Sequence, residues 1–179
     1  MHPIPKHLRA ILKPTEVVAA VDNDTELGGD LVCTCGANEF ILLHTGGFAG
    51  KGKLRGVGYG KSDGQDFLII KAMCTSCDTE HLVFDDDLHG WNGYVCAADE
   101  GLRGRPRPPL VPWECSKCSC TAHNASVWIV GEGREHALEN GEGILTDEDW
   151  FEAFGSLGMD IKCVTCEFKL GGWLSHETM

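Results

Sequence analysis

Ten cysteines stand in this chain of 179 residues, and eight of them form close pairs: Cys33 with Cys35, Cys74 with Cys77, Cys115 with Cys118, and Cys163 with Cys166. Deprotonated, these side chains are soft metal ligands. A tetrahedral zinc ion takes four of them at about 2.3 Å, and a two-cysteine turn supplies two from one tight knuckle, so two knuckles from distant segments complete a closed structural site. The first unit reads C-T-C-G with C-T-S-C, and the second reads C-S-K-C with C-V-T-C. Two zinc ions are therefore expected. The second unit leaves an alternative, because Cys120 extends the run to C-x-x-C-x-C, Cys118 with Cys120 would repeat the C-x-C of the first unit, and His123 follows closely. Cys115 with Cys118 is preferred because Trp113 and Glu114 read as a strand entering the knuckle. Cys96 and Cys120 are then spare thiols, expected to behave as small buried hydrophobes.

Such knuckles need strands to hold them, and the flanking sequence supplies short apolar runs bounded by glycines and acids: 39–44, 67–70, 81–84, 126–130 and 159–162. The expected fold is mainly β with a few short helices: two tandem zinc ribbons of short antiparallel strands, related as an internal duplication. The expected divisions are 1–100, an N-terminal helical segment with the first ribbon; 101–112, a linker rich in proline and arginine; and 113–179, the second ribbon with an inserted helix. That helix is expected from Thr146 to Gly158, with Asp147, Glu148 and Asp149 at its start and an apolar face of Trp150, Phe151, Phe154 and Leu157. Leu8, Ile11, Leu12, Val17, Val18 and Val21 suggest two short helical pieces broken by Pro14 and covering one ribbon edge.

In the spacing of its knuckles and in their strand context the chain resembles the zinc-ribbon class, with rubredoxin-like knuckles. Cys33, Cys35, Cys74 and Cys77 match the four ligand positions once, and Cys115, Cys118, Cys163 and Cys166 match them again. The first knuckle departs from the usual C-x-x-C, and the long intervals between knuckles imply inserted strands. Ribbons of this kind occur in many functional contexts, so the resemblance implies structural zinc and no particular activity.

Charge narrows the partners. The formal net charge is −12, and two tetrathiolate zinc sites would carry it to about −16. Nucleic-acid binding draws on Lys and Arg against phosphates, so this field opposes it; another protein is the expected partner. The alternative, a nucleic-acid-binding ribbon, would use the one basic glycine-rich loop, with Lys51, Lys53, Arg55 and Lys61. Gly60-Lys61-Ser62 is no P-loop, since Arg55 stands where the first glycine is needed. His89, Trp91 and Tyr94 follow Asp85-Asp86-Asp87 and form a second candidate binding surface, weighed against a solvated acidic turn with the aromatics packed beneath.

Enzyme signatures are missing. None of the eight histidines begins a His-x-Glu, and there is no His-Glu-x-x-His or Gly-x-Ser-x-Gly. Four thiolates leave zinc no open position, and Cys77 runs toward a strand-like segment where a redox C-x-x-C would open a helix. A non-enzymatic protein is expected, with a metal- or thiol-dependent enzyme as a second alternative. No run approaches the roughly 18 apolar residues of a membrane span, and residues 1–14 lack a signal-peptide core. The expected compartment is the cytoplasm, where reduced thiols favour metal ligation over disulfides.

Overall fold

The computed structural model describes residues 4–19, 25–50, 55–96, 106–141 and 143–178. The chain is mainly β and antiparallel, as its alternating runs require. A 3-10 turn at Lys6–Leu8 leads into β1 (Leu12–Ala19) and β2 (Thr25–Leu31), and β3 (Phe40–His44) follows the first cysteine pair. Two small hairpins come next: β4 (Gly47–Ala49) with β5 (Gly56–Gly58), and β6 (Gly60–Ser62) with β7 (Gln65–Phe67). β8 (Ile69–Cys74) and β9 (Glu80–Asp85) flank the second cysteine pair. A π-helical turn at Trp91–Val95 and the short β10 (Val111–Pro112) precede the long β11 (Ala122–Gly131). A seven-residue helix, α1 (Arg134–Asn140), and a 3-10 turn at Trp150–Glu152 separate β11 from β12 (Ser156–Cys163) and β13 (Lys169–Glu177).

Nine of these strands form one sheet, ordered β1-β2-β11-β3-β8-β9, with β10 on β3 and with β12 and β13 continuing from β11. β11 is the hinge of the arrangement. Its first residues pair with β3 (His123 opposite Phe40), residues 126–131 pair with β2 (Ser126 opposite Asp30), and residues 123–130 pair with β12 on the other side. Strands from both sides of residues 101–112 thus share one sheet.

Period-two alternation explains the packing. Along β11 every second side chain, from His123 to Gly131, is buried and the others are half-buried. Val127 and Ile129 meet Leu27, Phe40, Leu42, Ile70, Phe84, Leu157 and Trp173 in one core that also takes in Leu8, Ile11 and Leu12. On the outer face the Trp128 indole lies over Gly158 of the neighbouring strand: a Cβ there would sit 1.9 Å from the ring. A smaller cluster of Val95, Ala137, Leu145 and Ala153 packs under Trp91, Tyr94, Leu138 and Trp150.

Two expected helices are corrected. Residues 12–19 run straight through Pro14 as strand β1, opposite Gly29 and Asp30 of β2, with a bulge after Pro14. β1 lies at the end of the strand order, where a missing N–H is tolerated. The segment 146–158 makes turns and one 3-10 turn, then enters β12 at Ser156, because pairing with both β11 and β13 outweighs the helical spacing of its aromatics. Thr146 and Asp149 do form a cap, the Asp149 carboxylate accepting from the Thr146 N–H at 2.6 Å, but it closes a turn.

Two half-buried histidines pack against each other. His7 and His89 stack with centroids 3.6 Å apart and planes 7° from parallel. His89 Nδ1 accepts the Asp85 N–H at 3.0 Å, which requires the neutral ring. Burial lowers His7 to about 4, and burial with the neighbouring His7 lowers His89 to about 2. Both folded values lie below the unfolded value of about 6.5, so the unfolded chain takes up protons first and stability is lost as pH falls below 6.5. His7→Phe keeps a ring in the stack and removes one such group. Chemical denaturation at pH 7 and pH 5.5 should show the variant losing about 1 kcal/mol less than the wild type over that interval.

Candidate metal centre

Each cysteine pair sits where a strand end reverses, and the backbone turns the two sulfurs inward by the same local bonding. In the three C-x-x-C turns the N–H of the residue after the second cysteine donates to the carbonyl of the first: Asp78 to Cys74 at 3.0 Å, Ser119 to Cys115 at 2.8 Å and Glu167 to Cys163 at 3.1 Å. The N–H of each first cysteine donates five residues onward, to Thr79, Cys120 and Phe168. Asp78, Ser119 and Glu167 all have positive φ, between 57° and 58°. The C-x-C turn is one residue shorter: Gly36, at φ 91°, donates to Cys33, and Cys33 donates to Ala37. Glycine suits this reversal because it lacks the Cβ that opposes a left-handed backbone.

The turns meet in two clusters. Sulfurs of Cys33, Cys35, Cys74 and Cys77 lie within 4.8 Å of one another, as do those of Cys115, Cys118, Cys163 and Cys166. The contacts cross in the same way in both. The buried Cys33 and Cys74 touch the exposed Cys77 and Cys35 at 3.6 Å, and the buried Cys115 and Cys163 touch the exposed Cys166 and Cys118 at 3.6 and 3.5 Å. A disulfide would need about 2.05 Å, and all ten cysteines are free. An ion bonded to four sulfurs at about 2.3 Å would separate them by about 3.8 Å along each tetrahedral edge. Both clusters could hold a metal ion on this geometry.

Electrostatics points the same way. The Thr79 hydroxyl, 3.3 Å from Cys77 Sγ, and the Thr79 N–H favour the thiolate and lower Cys77 to about 6. Cys35 also receives a backbone N–H, from Ala37, yet the surrounding thiols of Cys77, Cys74 and Cys33 together with desolvation push it up to about 12. In the second cluster desolvation opposes ionisation of Cys115, but the Lys117 and Cys118 N–H groups prevail and hold it at about 7, while Cys118 rises to about 12. Four sulfurs this close cannot all carry charge unless a cation stands between them.

The other expected site residues are placed elsewhere. Cys120 gives its carbonyl to the Cys115 turn, and its sulfur accepts the Ala122 N–H at 3.4 Å, outside the cluster. His123 is buried and donates from Nδ1 to the Thr121 carbonyl at 3.0 Å. Cys96 is exposed beside the 91–95 turn. Lys51 and Lys53 lie outside the described residues. Arg55 stacks over Phe48, and Lys61 is 78% exposed with Asp66 at 3.5 Å. His89 belongs to the half-buried stack with His7, whereas Trp91 and Tyr94 pack on the smaller apolar cluster.

The acidic run is a structural joint. Asp85 is buried with Arg107 at 3.1 Å, Arg107 also bonds Asp87, and Asp86 accepts from the Tyr59 hydroxyl and pairs with His176, each at 2.7 Å. This replaces the solvated turn expected from sequence, because an arginine after the 97–105 segment returns to neutralise it.

One neighbour of the first cluster had no strong sequence signal: His81 Nε2 lies 3.3 Å from Cys33 Sγ. It stands four residues beyond Cys77, where the second unit has Leu170 beyond Cys166. Comparison with protein-family models, with curated proteins and with solved structures finds no match for this chain.

Two outcomes follow. Cys163→Ser should release one ion and cost at least about 3 kcal/mol of stability, while Cys120→Ser should change neither; metal analysis and denaturation check both. His81→Ala removes the ring nitrogen that faces Cys33. A chelator should then extract half of the bound metal about 10-fold faster, the other half being unaffected, as read with a zinc-sensitive dye.

Proposed function

We propose that the protein is a non-enzymatic binding or adaptor protein whose two structural zinc ions, each held by four cysteines, stabilise a frame that presents surfaces to another protein. Cys33, Cys35, Cys74 and Cys77 hold one ion, and Cys115, Cys118, Cys163 and Cys166 hold the other. The observation that carries this reading is the sulfur spacing of 3.5–3.6 Å, repeated with the same crossed contacts in both clusters. Thiolate donors favour zinc among common structural ions. Four sulfurs fill a tetrahedron and leave no position for water or substrate, so neither ion is assigned a reaction. Ten free thiols fit a reducing compartment such as the cytoplasm, and no helix among the described residues is long and apolar enough to cross a membrane.

Structural zinc contributes about 10 kcal/mol or more to small folds, and the protein should depend on it. Native mass spectrometry of protein purified without added metal should show two zinc ions per chain, and a strong chelator should abolish the cooperative thermal melt. One ion per chain, iron in place of zinc, or an unchanged melt after complete metal removal would contradict the reading.

A further inference from the structure

A cavity of about 680 Å³ lies beside the second cysteine cluster and is lined by His44, Phe48, Arg55, Val111, Pro112, Trp113, Glu114 and Ser116. Its floor is aromatic: the rings of His44, Phe48 and Trp113 contact one another with centroids 5.5–5.9 Å apart. Phe48 and Val111, 53% and 43% exposed, are two of the four large apolar side chains left most open among the described residues. The Arg55 guanidinium lies 4.7 Å above the Phe48 ring. Arg55 makes no ion pair or hydrogen bond among the described residues, in a chain with 27 acidic residues. Core packing explains neither the open ring nor the unpaired cation. Pockets of this size with an apolar floor and a few polar groups are the usual form of a ligand site.

The same features select the ligand. Rings already in contact leave no cage for an alkylammonium group, and Arg55 repels one. An oligonucleotide would bring a row of phosphates to a wall with a single cation, against a net charge of −12. A single carboxylate suits a planar guanidinium, which binds it with two parallel hydrogen bonds. We infer that this cavity binds a peptide segment of a partner protein, seating a bulky apolar side chain against Phe48, Trp113 and Val111 and a neighbouring carboxylate on Arg55. Glu114 and Ser116 then accept and donate hydrogen bonds to the peptide backbone. This assignment rests on the protein-binding role proposed above and gives it a place and a partner chemistry.

The test uses the zinc-loaded full chain and three labelled probes: a short peptide with one aspartate beside a phenylalanine, the same peptide with lysine in place of the aspartate, and a short oligothymidylate. Fluorescence anisotropy should show saturable binding of the acidic peptide alone. Arg55→Ala and Phe48→Ser should each weaken it about 10-fold, with zinc content unchanged because neither side chain lies in a cysteine cluster. Absence of saturable binding, equal binding of the lysine peptide, tighter binding of the oligonucleotide, or indifference to both substitutions would each overturn the assignment. Any of these results with two zinc ions still bound would leave the metal reading standing, whereas loss of the zinc count would strike that reading and not the cavity.

Discussion

Four cysteine sulfurs held within 4.8 Å of one another are the constraint on which this structure depends, because their charge is tolerable only around a cation. Each cluster joins turns far apart in the chain. The contact between Cys35 and Cys74 spans 39 residues and that between Cys118 and Cys163 spans 45. Closing such loops costs entropy, and an ion held by each cluster would fix where β8 and β9, and β12 and β13, must reverse. Register follows from the turn. Phe40 stands opposite Cys74 and His123 opposite Cys163, so the first cysteine of each hairpin turn is set by a strand arriving from the other turn of its cluster.

The two clusters are joined by more than the chain. β11 pairs with strands from the first half on one edge and with β12 on the other, and the core beneath is shared. Polar joints close the remaining seams: Arg107 between Asp85 and Asp87, and Asp86 between Tyr59 and His176. These take charges that look free in the sequence and make them structural. Arg55 differs from these: among the described residues it makes no ion pair or hydrogen bond and meets only the Phe48 ring.

The cysteine quartets were legible because C-x-x-C is a local signal with one geometric use in a β context. Cys118 was chosen over Cys120 from Trp113 and Glu114 read as a strand, whereas the structure ends β10 at Pro112 and sets the choice by the left-handed residue after the second cysteine: Ser119 adopts it, as Asp78 and Glu167 do, and Cys120 lies beyond the turn, before β11. Strand class was legible for the same local reason. The failures came where distant pairing overrides local preference. Pro14 reads as a helix breaker but lies in a strand at the end of the sheet order, and Phe151, Phe154 and Leu157 keep helical spacing but lead into a strand claimed on both sides. α1 was missed although Gly133 and Gly141 bracket Arg134–Asn140, a run rich in helix formers. The His81 contact with Cys33 and the cavity around Arg55 depend on which strands become neighbours, which no local pattern encodes.

The most direct test of the account is X-ray absorption at the zinc edge on protein loaded with two ions. The account predicts an average first shell of four sulfurs at about 2.3 Å, with no nitrogen or oxygen scatterer. A shell containing nitrogen, which would place His81 or His123 on the metal, or an oxygen from an open position, would contradict closed four-cysteine sites and return catalysis to consideration.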